Sequence, residues 1–263
     1  MCRLVAYAGP KAELAPLLFG GQHSLRHQSW APRELLSGSV NADGWGIVWF
    51  HRGQPLRIAD ERPIWQAGEL EPLLRAQRSS VALSAVRNRT DGVPGGAVGT
   101  PPLLRGGCGF VLNGFLAGYR ERLLRPLLHR LSDPTLSLLE GATDSELVFL
   151  NVLERIRAGE TAPDALAATA TWVLHLARDH GLDAQLNCAL ATADGVALTR
   201  ASSRGASNSL YLGRASPLVP RDGTLAASEP LDDGATWDPV PEGSLVTLDP
   251  AGGSRITPLP AGP

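Results

Sequence analysis

The order in which hydrophobic patterns follow one another along this 263-residue chain restricts its fold more than any single motif does. Short apolar runs come first: Arg3 to Ala8, Trp45 to Phe50, Ser80 to Val86 and Cys108 to Leu112, each bounded by Gly, Pro or Asn, as strands are. Two long helical stretches then occupy the middle. The first starts at Thr143-Asp144-Ser145-Glu146, with Thr143 as N-cap and Glu146 three residues on, a capping-box pattern. Leu147, Leu150, Leu153 and Ile156 follow at helical spacing. The second runs from Pro163 to His180. Strands resume at Leu186–Thr192, Val196–Thr199, Ser209–Leu212, Leu225–Ala227 and Leu245–Leu248. Blocks of strands on either side of paired helices predict an α+β fold, with sheets layered against helices, rather than alternating βαβ units. Shorter helices are expected at Lys11–Leu18, Glu69–Gln77 and Tyr119–Leu131. A further strand is expected from Gln54 to Ile64, and Gly20–Pro32 should be a loop. The segment from Pro250 to the end is Gly- and Pro-rich and is expected to fray, leaving residues 2–249 as the domain and 250–263 as a flexible tail.

Composition removes several function classes. The net charge of −2 gives no basic footprint for nucleic acid. No run of about 18 apolar residues is present, so no membrane span is expected. The first residues lack the charged and apolar regions of a signal peptide, which points to the cytoplasm. Cys2, Cys108 and Cys188 are odd in number and far apart, fitting neither a disulfide framework nor a zinc spacing. His23 and His27 are four apart, but Gly20-Gly21 before and Pro32 after them argue against a metal-binding helix. No metal and no cofactor is expected. Whether the chain forms a homo-oligomer is left open.

The chemistry concentrates at a few strand and helix ends. Cys2 follows Met1 directly. Removal of Met1 would leave a thiol and a free α-amine on one residue, and such an amine has a pKa of roughly 7.7–8, so it can accept the thiol proton near neutral pH. Alone, Cys2 reads first as a small hydrophobe in a terminal strand. Arg87 and Arg89, at the mouth of the Ser80–Val86 strand, suit a carboxylate. Asn113-Gly114 reads either as a type I′ hairpin turn or as a side-chain amide and a backbone N–H aimed together at a developing oxyanion. Asp144 falls in the first turn of a helix, where a carboxylate complements the dipole.

Together these pieces resemble the class II glutamine amidotransferase family of N-terminal nucleophile hydrolases. The carriers are Met1-Cys2, Asn41-Ala42-Asp43-Gly44-Trp45-Gly46, Ala85-Val86-Arg87-Asn88-Arg89-Thr90, Leu112-Asn113-Gly114 and Thr143-Asp144-Ser145-Glu146. Within that family the chain is most similar to the ergothioneine-biosynthesis branch, the γ-glutamyl-hercynylcysteine sulfoxide amidohydrolases, through Gln28-Ser29-Trp30-Ala31-Pro32, Leu186-Asn187 and Ala227-Ser228-Glu229-Pro230. The resemblance implies a four-layer α/β/β/α sandwich. It implies Cys2 as nucleophile with its own amine as base, and an oxyanion hole made by the Asn113 side chain and the Gly114 N–H. It also implies Arg87 on the α-carboxylate of a glutamyl group and Asp144 on its α-ammonium. Arg89 would add charge beside Arg87. Trp30 or Trp45 could contact the trimethylammonium group of the substrate by cation–π attraction, with core packing the simpler reading for either. The chain departs from the family pattern at Ala85 and Leu112, where His is common, and at Arg89, where Ala is common.

The resemblance leaves no room for a synthase domain. The implied activity is therefore a free-standing amidohydrolase acting on a small γ-glutamyl substrate. A glutaminase subunit feeding ammonia to a separate synthetase and a non-catalytic amino-acid-binding relative are the competing readings.

Overall fold

The computed structural model describes residues 2–36, 38–89, 96–141 and 143–261, and strand β1 (Arg3–Glu13) shows how it is layered. Successive side chains of a strand point to opposite faces. In β1 both faces are apolar: Leu4, Ala6 and Ala8 point one way, Val5 and Tyr7 the other. Such a strand must be covered on both sides.

β1 lies inside a seven-stranded antiparallel sheet with β2 (Trp45–His51), β3 (Gln54–Asp60), β4 (Arg78–Val86), β9 (Tyr211–Arg214), β10 (Thr224–Ala227) and β11 (Thr236–Pro239), in the order β11-β9-β10-β1-β4-β2-β3. The second sheet holds β5 (Leu103–Arg105), β6 (Cys108–Leu116), β7 (Ala184–Thr192), β8 (Gly195–Arg200), β12 (Ser244–Leu248) and β13 (Ser254–Pro258), ordered β13-β12-β8-β7-β6-β5. One apolar layer, including Leu4, Ala6, Val48, Leu83, Val111, Ala189 and Leu198, fills the space between the sheets. The first sheet's outer face carries short helices α1 (Pro16–Phe19), α2 (Leu25–Gln28) and α3 (Leu70–Arg75), with Leu17, Leu18, Leu25 and Leu74 packed on Val5, Tyr7 and Ile47. The second sheet's outer face is covered by α4 (Leu124–His129), α5 (Asp133–Leu136), α6 (Asp144–Arg157) and α7 (Ala162–Asp179). The result is the expected α/β/β/α sandwich.

Several local expectations change. The helix expected at Lys11–Leu18 is divided: Lys11–Glu13 close β1, and a turn at Leu14 and Ala15 leads into a short helix. β1 passes through a bulge between Ala8 and Ala12 that leaves Pro10 and Lys11 exposed, and only Pro16–Phe19 is helical. The Gly20–Pro32 loop contains one turn of helix, capped by the Ser24 hydroxyl accepting from the His27 N–H. The Gln54 strand stops at Asp60, and the helix expected from Tyr119 opens with a π-helical turn at Tyr119–Leu123. Asn113-Gly114 is not a turn: β6 runs straight through it, pairing Asn113 with Asn187 and Gly114 with Leu186. The supposed tail forms β13, whose residues Ser254 to Pro258 pair with Leu248 to Ser244, so neighbouring β12 supplies the backbone partners that its own composition does not advertise. At α6, Thr143 caps as expected, accepting from the Glu146 N–H at 3.1 Å. The Glu146 carboxylate does not complete the box; it accepts from the N–H groups of Glu140 and Gly141 instead.

The helical layer is joined to its sheet by Phe149 of α6 stacked on Phe110 of β6, with ring centroids 4.9 Å apart and planes 6° from parallel. Both rings are fully buried. Phe149→Ala should cost about 3–5 kcal/mol, read as a lower urea midpoint with an unchanged denaturant slope.

Candidate active site

One end of the sandwich gathers the ends of several elements. β1 begins there, with Arg3 opposite Val86, and β4 ends there as Val86 passes into Arg87. The turn before β2 is tied to the same point: Asp43 N–H donates to the Arg87 carbonyl, and Arg87 N–H donates to the Gly44 carbonyl. From the other sheet come β6 and the first turn of α6, joined where the Leu116 N–H donates to Asp144 Oδ2 at 3.0 Å. A cleft between them is lined by Cys2, Arg87, Arg89, Gly114 and Asp144, over an apolar floor of Leu103, Phe110 and Leu112.

Cys2 is half-buried and free, and its carbonyl accepts from Arg3 Nη1 at 3.1 Å. The other two thiols are out of play. They sit in the core under α6 and α7, and burial pushes Cys108 up to about 11 and Cys188 up to about 12. Arg87 is buried, yet among the described residues its guanidinium has no hydrogen-bond or ion-pair partner; it lies along Gly99, where an added Cβ would meet its nitrogens at 3.5 and 3.6 Å. A desolvated cation facing a cleft without a counter-ion is a place for an anion. Arg89 is exposed at the rim, its backbone N–H held by Asp43. Burial pushes the Asp144 carboxyl up, against the pull of the N–H groups of Leu116 and Ser145. The cleft thus presents a positive wall and a negative one.

Gly114 lines the cleft and cannot carry a side chain, because a Cβ would stand 1.8 Å from the Gln185 carbonyl oxygen. Asn113 is set one layer back. It is buried and shares the inter-sheet side of β6 with Val111, which by alternation with Leu4 and Ala6 is also the side on which Cys2 begins β1. Its Nδ2 donates to Ser228 Oγ at 3.2 Å, and Ser228 Oγ also accepts from the Leu4 N–H at 3.0 Å.

Trp45 is not brought to the cleft. It is 4% exposed and packs in the outer core with Val5, Ile47 and Ile64, because the register of β2 turns it away from the inter-sheet side. Trp30 lies on the surface, its ring edge-on to Trp65 at 6.0 Å and beside His27. His23 is engaged in the protein interior, with Nε2 2.6 Å from Glu229. No group of three or more His, Cys, Asp or Glu is placed to hold a metal among the described residues, and no described helix is long and apolar enough to cross a membrane.

What sequence reasoning missed is the support behind the cleft. Glu229 is fully buried and takes four donors: Arg3 Nε at 2.7 Å, His23 Nε2, and the backbone N–H groups of Arg33 and Glu34 at 2.8 and 3.1 Å. Burial alone would raise its carboxyl, but the His23 ring, those two N–H groups and the Arg3 charge hold it down to about 2. The signal available was the tetrapeptide Ala227-Ser228-Glu229-Pro230, a carboxylate directly after an apolar strand.

Comparison with known proteins bears on this cleft. Residues 21–220 match the family model described as class-II glutamine amidotransferases, a span that leaves Cys2 outside it. The chain is 30% identical to the γ-glutamyl-hercynylcysteine sulfoxide hydrolase of Mycobacterium tuberculosis over 96% of this chain and 94% of that protein. It is 31% identical to the protein of the same name from Mycolicibacterium smegmatis over 94% and 96%. Among solved structures, a glutamine aminotransferase class-II domain protein from Silicibacter pomeroyi superposes with a TM-score of 0.70 at 23% identity, covering 98% of this chain and 99% of that one. The Bacillus subtilis glutamine phosphoribosylpyrophosphate amidotransferase gives 0.67 at 18%, covering 98% of this chain and 49% of that chain.

The Glu229 cluster makes stability depend on pH in a defined direction. A carboxyl held below its unfolded value contributes stability that is complete above about pH 4.5 and is lost as pH falls toward 2. A depression of that size corresponds to about 3 kcal/mol. Urea unfolding across pH 6 to 2 should show that loss in the parent, and Glu229→Gln should be less stable at pH 6 but lack this component of the acid dependence.

Proposed function

The chain belongs to the class-II glutamine amidotransferases and is an amidohydrolase, and from that premise we propose that it cleaves the γ-glutamyl amide bond of γ-glutamyl-hercynylcysteine sulfoxide, releasing glutamate through a thioester on Cys2. The observation that carries this reading is the cleft itself: a free Cys2, a buried Arg87 whose guanidinium has no hydrogen-bond or ion-pair partner among the described residues, and a desolvated Asp144 around one space. A glutamyl head group carries one carboxylate and one ammonium, and this cleft offers one match for each. The substrate's remaining part follows from the mycobacterial relatives' names.

Removal of Met1 frees the α-amine of Cys2. That amine takes the thiol proton, and the sulfur attacks the γ-carbonyl carbon. Arg87 holds the α-carboxylate and Asp144 the α-ammonium, so the carbonyl is presented in one orientation. Negative charge that develops on the carbonyl oxygen meets Asn113 Nδ2 and the Gly114 N–H. The C–N bond breaks, the leaving amine takes a proton from the Cys2 ammonium, and water then cleaves the thioester. Arg89, exposed at the rim, faces the leaving part of the substrate.

Cys2→Ala should reduce glutamate release about a thousandfold or more while leaving the fold intact. Full activity in that variant would overturn the reading. A panel of γ-glutamyl amides separates the substrates. Faster turnover of the hercynylcysteine sulfoxide conjugate than of glutamine is expected, and the reverse would favour a glutaminase that supplies ammonia to a partner enzyme.

Asp144 adds a pH signature. Only its anion holds the ammonium, and burial raises its carboxyl. KM should therefore begin to rise, as pH falls, above the ordinary carboxylate range. Asp144→Asn should raise KM about ten- to a hundredfold and remove that acid limb.

A further inference from the structure

The Asn113 amide has two ends of similar shape, and only one of them can stabilise an oxyanion. If Oδ1 faced the reacting carbonyl, it would repel the charge that Nδ2 attracts. Something in the fold must decide between them. We propose that Asn208 and Ser228 are positioning residues that set the Asn113 amide, Asn208 by occupying Oδ1 and Ser228 by holding Nδ2, so that one N–H remains for the substrate. The proposal rests on the oxyanion role given to Asn113 above.

The assignment follows from an atom whose chemistry is fixed. A backbone carbonyl oxygen only accepts. The terminal atom of Asn208 that lies 3.1 Å from the Asn113 carbonyl oxygen is therefore its nitrogen. That same nitrogen lies 3.0 Å from a terminal atom of Asn113, which must accept and is therefore Oδ1. The other end of the Asn113 amide is then Nδ2, which points to Ser228 Oγ at 3.2 Å. No tautomer or rotor choice enters the chain of reasoning.

Both positioning residues are themselves held. The Asn208 carbonyl accepts from Asn187 Nδ2 at 2.6 Å and from Arg200 Nε at 3.1 Å. Ser228 is sewn to β1 at both ends, its N–H donating to the Leu4 carbonyl and its hydroxyl accepting from the Leu4 N–H. The Ser209 hydroxyl holds the Ser228 carbonyl at 2.8 Å. All three side chains, Asn113, Asn208 and Ser228, are at most 1% exposed, so water does not compete for these groups. An Asn Nδ2 carries two hydrogens. Ser228 takes one, and among the described residues the second has no partner. Because Ser228 also binds the backbone two residues after Cys2, one hydroxyl sets the nucleophile's strand and the oxyanion donor together.

The test uses the full chain with Met1 removed and glutamine or the hercynylcysteine sulfoxide conjugate as substrate. Ser228→Ala should lower kcat about ten- to a hundredfold with KM within about twofold, because Arg87 and Asp144 still bind the glutamyl head. Ser228→Thr should restore most of kcat by returning the hydroxyl. In an Asn113→Ala background, Ser228→Ala should cost clearly less than it does in the parent, because only its bond to the Leu4 N–H is then lost. A second readout needs no turnover. The side-chain NH2 of Asn113 in 15N-labelled protein should have an order parameter near the rigid value of about 0.85, falling below about 0.6 in Asn208→Ala. The proposal is overturned if Ser228→Ala keeps the parent kcat, if it loses the same factor with Asn113 already removed, or if the Asn113 NH2 stays equally ordered in Asn208→Ala. Failure of the nucleophile reading shows differently, as retained activity in Cys2→Ala, and leaves the order-parameter result standing.

Discussion

Four donors converge on one buried carboxylate, and the geometry of the catalytic end depends on that convergence. Glu229 follows β10 directly and binds Arg3 of β1, His23 before α2, and the backbone of Arg33 and Glu34. Removing charges from water is costly, and a buried pair is retained without penalty only when its remaining hydrogen bonds are also filled. Here the carboxylate takes four donors and Arg3 directs a further nitrogen to the Cys2 carbonyl, while Arg3 Nη2 and His23 Nδ1 are buried with no partner among the described residues, so the cluster keeps part of its desolvation cost. The chain start would otherwise fray, as termini do. The buried cluster instead ties it to three other segments and fixes the backbone beside Cys2.

The proposed site residues are distributed by secondary structure in a way that gives each a rigid base. Arg87 stands at the end of a central strand, Asn113 and Gly114 stand within another, and Asp144 opens a helix of 14 residues. The two sheets meet at this end through Ser228, which bonds Leu4 of one sheet and Asn113 of the other. The spacing between Cys2 and Asn113 is therefore set by the spacing between the sheets, and the small residues of the inter-sheet layer, such as Ala6, Ala85, Ala189 and Ala226, keep that spacing short.

Much of this was legible in the sequence and some was not. Element order gave the layering, and Thr143 marked the start of α6, because both are local patterns. Asn113-Gly114 read equally as a turn, since the preference of Asn-Gly for hairpins is local while its place in β6 is decided by pairing with β7. β13 was invisible for the same reason: its residues become a strand only against β12. Of the two readings of Trp45, the strand register selects core packing over a substrate contact, because it turns the ring to the outer core. Glu229, Ser228 and Asn208 act through contacts spanning more than ninety residues, for which no sequence spacing exists.

The three departures from the family pattern are not equivalent once placed. Ala85 packs between the sheets, so losing a histidine there changes the core and not the wall that a substrate meets. Leu112 does line the cleft, on the side of Phe110, and makes that floor apolar where an imidazole would have offered a hydrogen bond. Arg89 lines it at the exposed rim, a full charge on a flexible stem beside the buried Arg87. Arg87 and Asp144, the proposed partners of the glutamyl head, are kept by the chain. Under the proposed function the altered positions would act on what lies beyond the amide bond: Leu112 by excluding polar groups near the scissile bond, Arg89 by favouring a leaving part with negative or hydrogen-bond-accepting groups. A sulfoxide oxygen and a second carboxylate on the leaving part are acceptors of that kind, which a released ammonia molecule does not possess.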